Sequence, residues 1–175
     1  TYHVVADPND EYIDLIDCWG KYLSSSRMLI REVPISHPQY NDIEEVANYF
    51  ENTLTASGSA WEVFRVYTPN DQPYTNSLIL NDKVFVPIMN SQWDDDALEV
   101  YQAAMPDHEI IGFTGSWQST DALHCRVKGI PDLNYTSYAD GDVNMDESID
   151  VLDVVLLVNF VLGAVEASST QIQIG

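Results

Sequence analysis

Basic residues are scarce in this sequence. Lysine and arginine together account for 7 of its 175 residues, against 28 aspartate and glutamate residues, which gives a formal net charge of −21 at neutral pH. Such a surface repels the phosphate groups of nucleic acids and of anionic lipids, so we expect no nucleic-acid partner. The same charge suits a cationic ligand, but it also suits a protein that simply stays soluble.

Long apolar runs and cysteines are few as well. No apolar stretch reaches the roughly 18 residues that a membrane span needs, so we expect none. The two cysteines, Cys18 and Cys125, are too few for a disulfide framework. An apolar share of 45% is nevertheless typical of a globular protein with a hydrophobic core.

Short apolar segments alternate with helical patterns before residue 114, which is typical of a mixed α/β fold. The Asn81-Asp82 pair predicts a tight hairpin turn, because both residue types tolerate positive φ. Asp94 to Asp96 should cap the second helix. The predicted strands are residues 17–23, 28–33, 62–67, 77–80, 83–87, 108–113 and 122–125, and the predicted helices are residues 41–55 and 95–105. This order suggests about two copies of one supersecondary unit.

Three stretches carry a family resemblance. Asp121-Ala122-Leu123-His124-Cys125-Arg126 resembles the segment around the nucleophilic cysteine of agmatine deiminases and Porphyromonas-type peptidylarginine deiminases. The stretches DCWGKYL at residues 17–23 and PYTNSLILN at residues 73–81 are similar to two further motifs of the peptidylarginine branch. The three occur in the family's order, and the resemblance extends over residues 12 to about 132.

The resemblance implies a propeller of five ββαβ-type units around a central funnel, of which this chain would supply the later part. It also implies a role for three residues. Cys125 would attack the guanidinium carbon, Asp17 would bind the guanidinium nitrogens, and Asn76 would position the cysteine or the leaving group. No cofactor is expected for this chemistry.

The family's acid/base histidine stands two residues before the guanidinium-binding aspartate, where this sequence has Leu15. We expect His124 not to replace it, because in an extended segment its side chain would point away from that of Cys125. His3, His37 and His108 have no motif support. Without the resemblance, Cys125 would be interpreted as a buried cysteine and Asp17 as a surface charge.

An acidic loop near the C-terminus has the spacing of a calcium site. Oxygen-bearing residues occupy loop positions 1, 3, 5, 7, 9 and 12, namely Asp142, Asn144, Asp146, Ser148 (through its carbonyl), Asp150 and Asp153. A solvated acidic loop is the alternative. Position 6, usually glycine, is Glu147, which should cost about 1–2 kcal/mol in a left-handed conformation. An apolar helix is predicted after the loop, at residues 151–162, and this order resembles half a dockerin, that is, a small α-helical EF-hand-like module.

We therefore expect residues 1–132 to be the C-terminal part of a deiminase domain, 133–139 a linker, 140–165 a dockerin-like calcium-binding repeat, and 166–175 a tail or the start of a further segment. Both resemblances imply a bacterial protein that is secreted or displayed at the cell surface, with an assembly partner for the apolar helix.

The leading functional hypothesis is deimination of peptidylarginine to peptidylcitrulline. An agmatine deiminase, which yields N-carbamoylputrescine, is the alternative within the superfamily. Leu15 supports a third reading, a non-catalytic relative that retains the guanidinium pocket. A calcium-dependent adhesion or assembly protein is a fourth, and it rests on the C-terminal loop alone.

Overall fold

The computed structural model of the chain describes residues 3–9, 15–130, 140–168 and 171–172. The chain divides into two compact units, Thr1–Lys128 and Gly129–Gly175. The predicted linker at 133–139 lies outside the described residues. In the described part of the chain, no helix has the length and apolar character that crossing a membrane requires.

The first half of unit 1 is a β-β-α-β element. Strand β1 (Gly20–Tyr22) pairs antiparallel with β2 (Arg27–Glu32), and β2 pairs in parallel with β3 (Glu62–Tyr67). Parallel strands need a crossover connection, which here is helix α1 (Tyr40–Asn52). The helix buries its apolar face, formed by Ile43, Val46, Ala47 and Phe50, as the sequence spacing predicts.

The second half repeats this order. Strand β4 (Leu78–Leu80) forms a hairpin with β5 (Lys83–Ile88), and helix α2 (Asp94–Ala104) leads to β6 (Glu109–Thr114), which is parallel to β5. Asn81 has a φ of 54°, so the hairpin turn predicted from Asn81-Asp82 is confirmed. The mixed α/β fold and its repeated unit are thus both found.

Strand β2 lies between two layers of apolar side chains. Met28 and Ile30 pack with α1, whereas Leu29 packs in the cluster that contains Val84, Val86 and Tyr101. Met28, Leu29 and Ile30 are all fully buried. Because successive side chains of a strand point to opposite faces, this apolar run makes one strand part of both cores. The two β-β-α-β elements are therefore joined through their hydrophobic interiors.

Two of the predicted strands are wrong in ways that affect the site. Residues 17–23 are not one strand, because a 3-10 helix (Ile16–Cys18) turns the chain before β1. Residues 122–125 are not extended, because Leu123–Arg126 form a short helix, α3. The cap of α2 also differs: its N-cap is Trp93, without a side-chain cap, while the Asp94 carboxylate accepts the Ser91 N–H.

Unit 2 contains the predicted apolar helix, α4 (Val151–Val161). The helix begins with a capping box, in which the Asp150 side chain accepts the Leu152 N–H at 2.7 Å and the Asp153 side chain accepts the Asp150 N–H at 2.8 Å. Since a capping box satisfies backbone donors that the first turn leaves unpaired, it explains why the helix starts at Val151.

Candidate active site

A buried loop between β3 and β4 carries Asn76 into the interior of unit 1. The Tyr101 hydroxyl lies 2.8 Å from both the Tyr74 carbonyl oxygen and the Ser77 hydroxyl. Because Tyr101 belongs to α2, this helix anchors the loop. On its other side, the Thr75 hydroxyl donates to the backbone carbonyl of Asp17 at 2.9 Å. Asn76 itself is fully buried, and its side chain forms hydrogen bonds with His124 and Cys125.

The amide of Asn76 organises helix α3. Its Oδ1 atom accepts the backbone N–H of His124 at 2.8 Å and that of Cys125 at 3.3 Å. Its Nδ2 atom donates to the sulfur of Cys125 at 3.1 Å. One side chain therefore satisfies two backbone donors of α3 and also touches the thiol, which explains why residues 122–125 turn instead of extending.

Asp17 completes the surroundings of the sulfur. Its side chain, only 10% exposed, lies at the turn of the 3-10 helix. Its Oδ2 atom lies 3.5 Å from the sulfur of Cys125 and 2.6 Å from Nδ1 of His124. The structure thus brings together all three residues that the resemblance singled out, Asp17, Asn76 and Cys125, although 49 to 108 positions separate Cys125 from the other two.

His124 does not point away from the site, so the expectation that it would is wrong. That expectation assumed the alternation of an extended strand, whereas in a helix adjacent side chains diverge by about 100°. The helical turn of α3 lets both His124 and Cys125 reach the same carboxylate oxygen. The sequence does show a histidine next to Cys125. The direction of its side chain, however, depends on the helical turn of α3, which is held by Asn76, 48 residues earlier in the chain.

Lys21 adds a cation at the edge of this cluster. From β1, its ammonium group donates to the Ser77 carbonyl oxygen at 2.6 Å. Burial lowers the pKa of Lys21, and the nearby negative charges of Asp17 and Cys125 partly oppose that shift. A positive charge near a thiol favours its thiolate. The sequence does not single out Lys21, because nothing in its pattern places this residue beside the cysteine.

The remaining histidines and Leu15 lie elsewhere. Leu15 is 41% exposed and precedes the 3-10 helix. His3 contacts Tyr49, and His37 lies 3.2 Å from Asp71. Among the described hydrogen bonds, His124 is the histidine that meets the residues around Cys125.

The two thiols differ in their surroundings. Cys18 is buried with its sulfur 3.9 Å from Oδ1 of Asp17, and Cys125 is exposed. An exposed thiol with an amide donor, a neighbouring cation and a carboxylate can act as a nucleophile toward a cationic electrophile.

The acidic loop of unit 2 is ordered by its own carboxylates. Asp142 accepts the N–H groups of Asp146 and Glu147, at 3.1 and 3.0 Å, and Asp153 accepts that of Asn144 at 3.0 Å. Glu147 has a φ of 70°, the conformation expected at the sixth position of a calcium loop. Hydrogen bonds from the backbone N–H groups of Asn144 and Asp150 hold the pKa of Asp153 below its usual value.

The donor set of this loop, carboxylate and amide oxygens, is the kind that Ca²⁺ prefers. Within the described residues, however, no three His, Cys, Asp or Glu side chains are gathered closely enough to hold a metal. Asn144 Nδ2 donates to Asp146 at 2.8 Å, a bond that a cation between the two side chains would replace.

Comparison with known proteins agrees with the geometry of unit 1. Residues 9–131 match the family model of Porphyromonas-type peptidyl-arginine deiminases. An agmatine deiminase from Medicago truncatula is 25% identical, over 54% of this chain and 33% of its own length.

Solved structures show the same fold. A crystal structure described as an arginine deiminase from Porphyromonas gingivalis superposes with a TM-score of 0.58 and 23% identity, covering 71% of this chain and 40% of that one. An agmatine deiminase of Enterococcus faecalis gives a TM-score of 0.56 and 19% identity, covering 63% and 38%. The chain thus spans about a third to two fifths of the length of these relatives.

Proposed function

Because the chain belongs to the family of Porphyromonas-type peptidyl-arginine deiminases, we propose that the protein converts peptidylarginine to peptidylcitrulline and ammonia through a covalent adduct on Cys125. The observation that carries the proposal is the pair of contacts made by the Cys125 sulfur, to Nδ2 of Asn76 at 3.1 Å and to Oδ2 of Asp17 at 3.5 Å. A guanidinium bound by Asp17 would present its carbon to that sulfur.

Each step has a residue suited to it. The Asp17 carboxylate offers acceptors to the planar cation, and the net charge of −21 favours a cationic substrate generally. The Cys125 thiolate attacks the central carbon, a C–N bond breaks, and ammonia leaves a thiouronium adduct. Water then adds to that carbon, and the C–S bond breaks to release the ureido product. Asn76 holds the sulfur throughout.

The alternative substrate is agmatine, and the curated relative from Medicago, an agmatine deiminase, favours it. The site chemistry is the same for both, since each substrate presents a guanidinium group. The difference would arise from groups that receive the rest of the substrate. The third candidate is a relative that binds guanidinium groups without turning them over. Leu15 suggests it, because this residue stands where the family has its acid/base histidine.

The test is a citrulline and ammonia assay on the longest natural form of the protein, with a peptide ending in arginine, free arginine and agmatine in parallel. We expect turnover of the peptide, its loss in Cys125→Ala, and its retention in Cys18→Ala, which removes the other thiol. Preference for agmatine would favour the alternative. No turnover of any substrate would overturn the enzymatic proposal in favour of a binding role.

We also propose that the two β-β-α-β elements are units of a five-unit propeller. Their repeated order supports this, as does the partial coverage of longer relatives. Residues beyond this chain would then complete the central funnel. The prediction is that small-angle scattering of the longest natural form fits a closed ring better than an elongated particle.

For unit 2 we propose a dockerin-like calcium role, outside the cell, with α4 meeting an assembly partner. The Glu147 conformation, the sequence spacing of the oxygen-bearing residues and the apolar residues that α4 exposes support it. Residues Asp142, Asn144, Asp146, Ser148, Asp150 and Asp153 would surround the ion. Calorimetry should detect calcium binding that Asp146→Ala abolishes and Asp140→Asn, which lies outside the ligand positions, preserves. Equal heats in all three proteins would overturn it.

A further inference from the structure

One imidazole lies against the carboxylate that contacts the reactive sulfur. Nδ1 of His124 is 2.6 Å from Oδ2 of Asp17, the same oxygen that lies 3.5 Å from the sulfur of Cys125. The carboxylate therefore joins the histidine and the thiol through a single atom. This arrangement resembles the way a nucleophile and a base are commonly held by a third group.

The hydrogen bond fixes the proton arrangement of the ring. An ionised carboxylate only accepts hydrogen bonds, so Nδ1 of His124 must carry a proton in this contact. In the neutral ring, Nε2 is then left with a lone pair. Because the side chain is 47% exposed, water and a substrate can reach it. Asp17 thus orients the imidazole with its basic nitrogen available.

The backbone of His124 is as well defined as its ring. Oδ1 of Asn76 and the Asn76 carbonyl oxygen both accept the His124 N–H, at 2.8 and 3.1 Å. Asn76 also holds the sulfur. The same buried residue therefore sets the positions of both the nucleophile and the imidazole, so that the two keep a constant relationship.

Resting on the function proposed above, we propose that His124 is the proton-transfer residue of the deimination. When the Cys125 thiolate has formed its C–S bond, the His124 imidazolium gives a proton to one amino group, which leaves as ammonia. The neutral imidazole then takes a proton from the water whose oxygen bonds to the carbon. Breakage of the C–S bond returns the electron pair to sulfur, and the remaining hydroxyl proton leaves with ammonia as ammonium.

The charged groups around His124 suit this role. Asp17 faces the ring directly, Lys21 lies near both Asp17 and Cys125, and Arg126, which pairs with Asp121, lies near Cys125. An imidazole can both give and take a proton, so one side chain can serve first as acid and then as base. Leu15 has no group able to exchange a proton.

The test compares His124→Ala and His124→Asn in the longest natural form of the protein. Asparagine can still donate to Asp17 from a similar position, but it cannot transfer a proton. We expect both variants to lower kcat by about 10²–10⁴-fold, to flatten its dependence on pH and to change KM little. Added imidazole should restore turnover to His124→Ala. His37→Asn, which alters a histidine bound to Asp71, should behave as the parent protein does.

The outcomes distinguish a failure of the proposed role of His124 from a failure of the proposed deiminase function. If the parent protein turns over and loses activity in Cys125→Ala, while His124→Asn keeps its kcat and pH profile, His124 only positions Asp17 and this inference falls, though the proposed function stands. If the parent protein itself forms no citrulline or carbamoyl product, both fall together. Loss of kcat in His124→Asn with imidazole rescue of His124→Ala supports proton transfer.

Discussion

The side-chain nitrogen of Asn76 lies 3.1 Å from the sulfur of Cys125, and Asn76 is fully buried. An amide hydrogen bond to a thiolate stabilises the charged form of the thiol. Its oxygen meanwhile accepts backbone donors of α3, so the residue has two separable tasks. Substitutions can remove one task while keeping the other.

Asn76→Asp should keep the acceptor, lose the donor and add a negative charge beside the sulfur. Hydrogen bonds to charged groups contribute about 1.5–3 kcal/mol, which corresponds to roughly 10- to 100-fold. We expect alkylation of Cys125 by iodoacetamide at fixed pH to slow by that factor, and citrulline formation with it. Mass spectrometry distinguishes the modified cysteine from Cys18. An unchanged alkylation rate would show that the amide does not stabilise the thiolate.

Lys21→Met should slow the same alkylation, and it also removes the hydrogen bond to the buried Ser77 carbonyl oxygen. The ammonium group is half-buried and lies near the charges of Asp17 and Cys125. Ion pairs at a protein surface contribute up to about 1 kcal/mol, which corresponds to roughly fivefold in rate. Lys128→Met, at an exposed position, is the matched control. Equal slowing in both variants would point to net charge in general, and no slowing in Lys21→Met would remove Lys21 from the site.

Much of the fold follows from pattern in the sequence, because it depends on neighbours along the chain. The face of α1 follows from the spacing of Ile43, Val46 and Phe50, and the β4–β5 hairpin follows from Asn81. These features need only local periodicity and turn chemistry.

The site was predicted less completely, since distant contacts shape it. The choice of Asp17, Asn76 and Cys125 came from motifs, and the structure brings the three together. The helical turn at Leu123–Arg126 could not be foreseen, because its backbone donors are satisfied by Asn76, which is 48 or 49 residues away. The direction of His124 followed that error, whereas Lys21 was omitted because nothing in the pattern placed it beside the cysteine.

Tyr101→Phe should destabilise unit 1 while leaving the site residues unchanged. The Tyr101 hydroxyl is within 2.8 Å of the Tyr74 carbonyl and the Ser77 hydroxyl, and all three residues are buried. Removing one partner from buried polar groups costs about 1–3 kcal/mol. Urea unfolding should show this loss in the free energy of unfolding. A loss below about 0.5 kcal/mol would mean that the loop holding Asn76 does not depend on this hydroxyl.

Alkaline pH should weaken the fold through the same residue. Burial raises the pKa of Tyr101 above its ordinary value of 10.0, and that of Tyr74 is raised for the same reason. Above about pH 10, the unfolded chain releases these protons while the folded chain retains them, so stability falls as pH rises. The slope is at most about 1.4 kcal/mol per pH unit for each tyrosine. Urea midpoints between pH 9 and 11 should fall less steeply in Tyr101→Phe, and parallel slopes would contradict this.

The cap of α4 gives a prediction for unit 2. Asp150 accepts the Leu152 N–H, so Asp150→Ala should lower helix stability by about 1 kcal/mol when measured in EGTA. Asp150→Asn keeps a capping oxygen and should behave nearly as the parent protein does. Far-UV circular dichroism during thermal unfolding measures both. Identical curves for the two variants would show that the capping box does not limit this helix.

The long sequence separations within the site have a consequence for synthesis of the protein. Cys125 meets Asp17 across 108 residues and Asn76 across 49. A ribosome adds the cysteine after β1 to β6 have been made, and the sulfur meets these neighbours only once α3 has formed. The thiol of a growing chain therefore has no amide donor, cation or carboxylate beside it. The surroundings of the sulfur are therefore completed last, once the rest of unit 1 is in place.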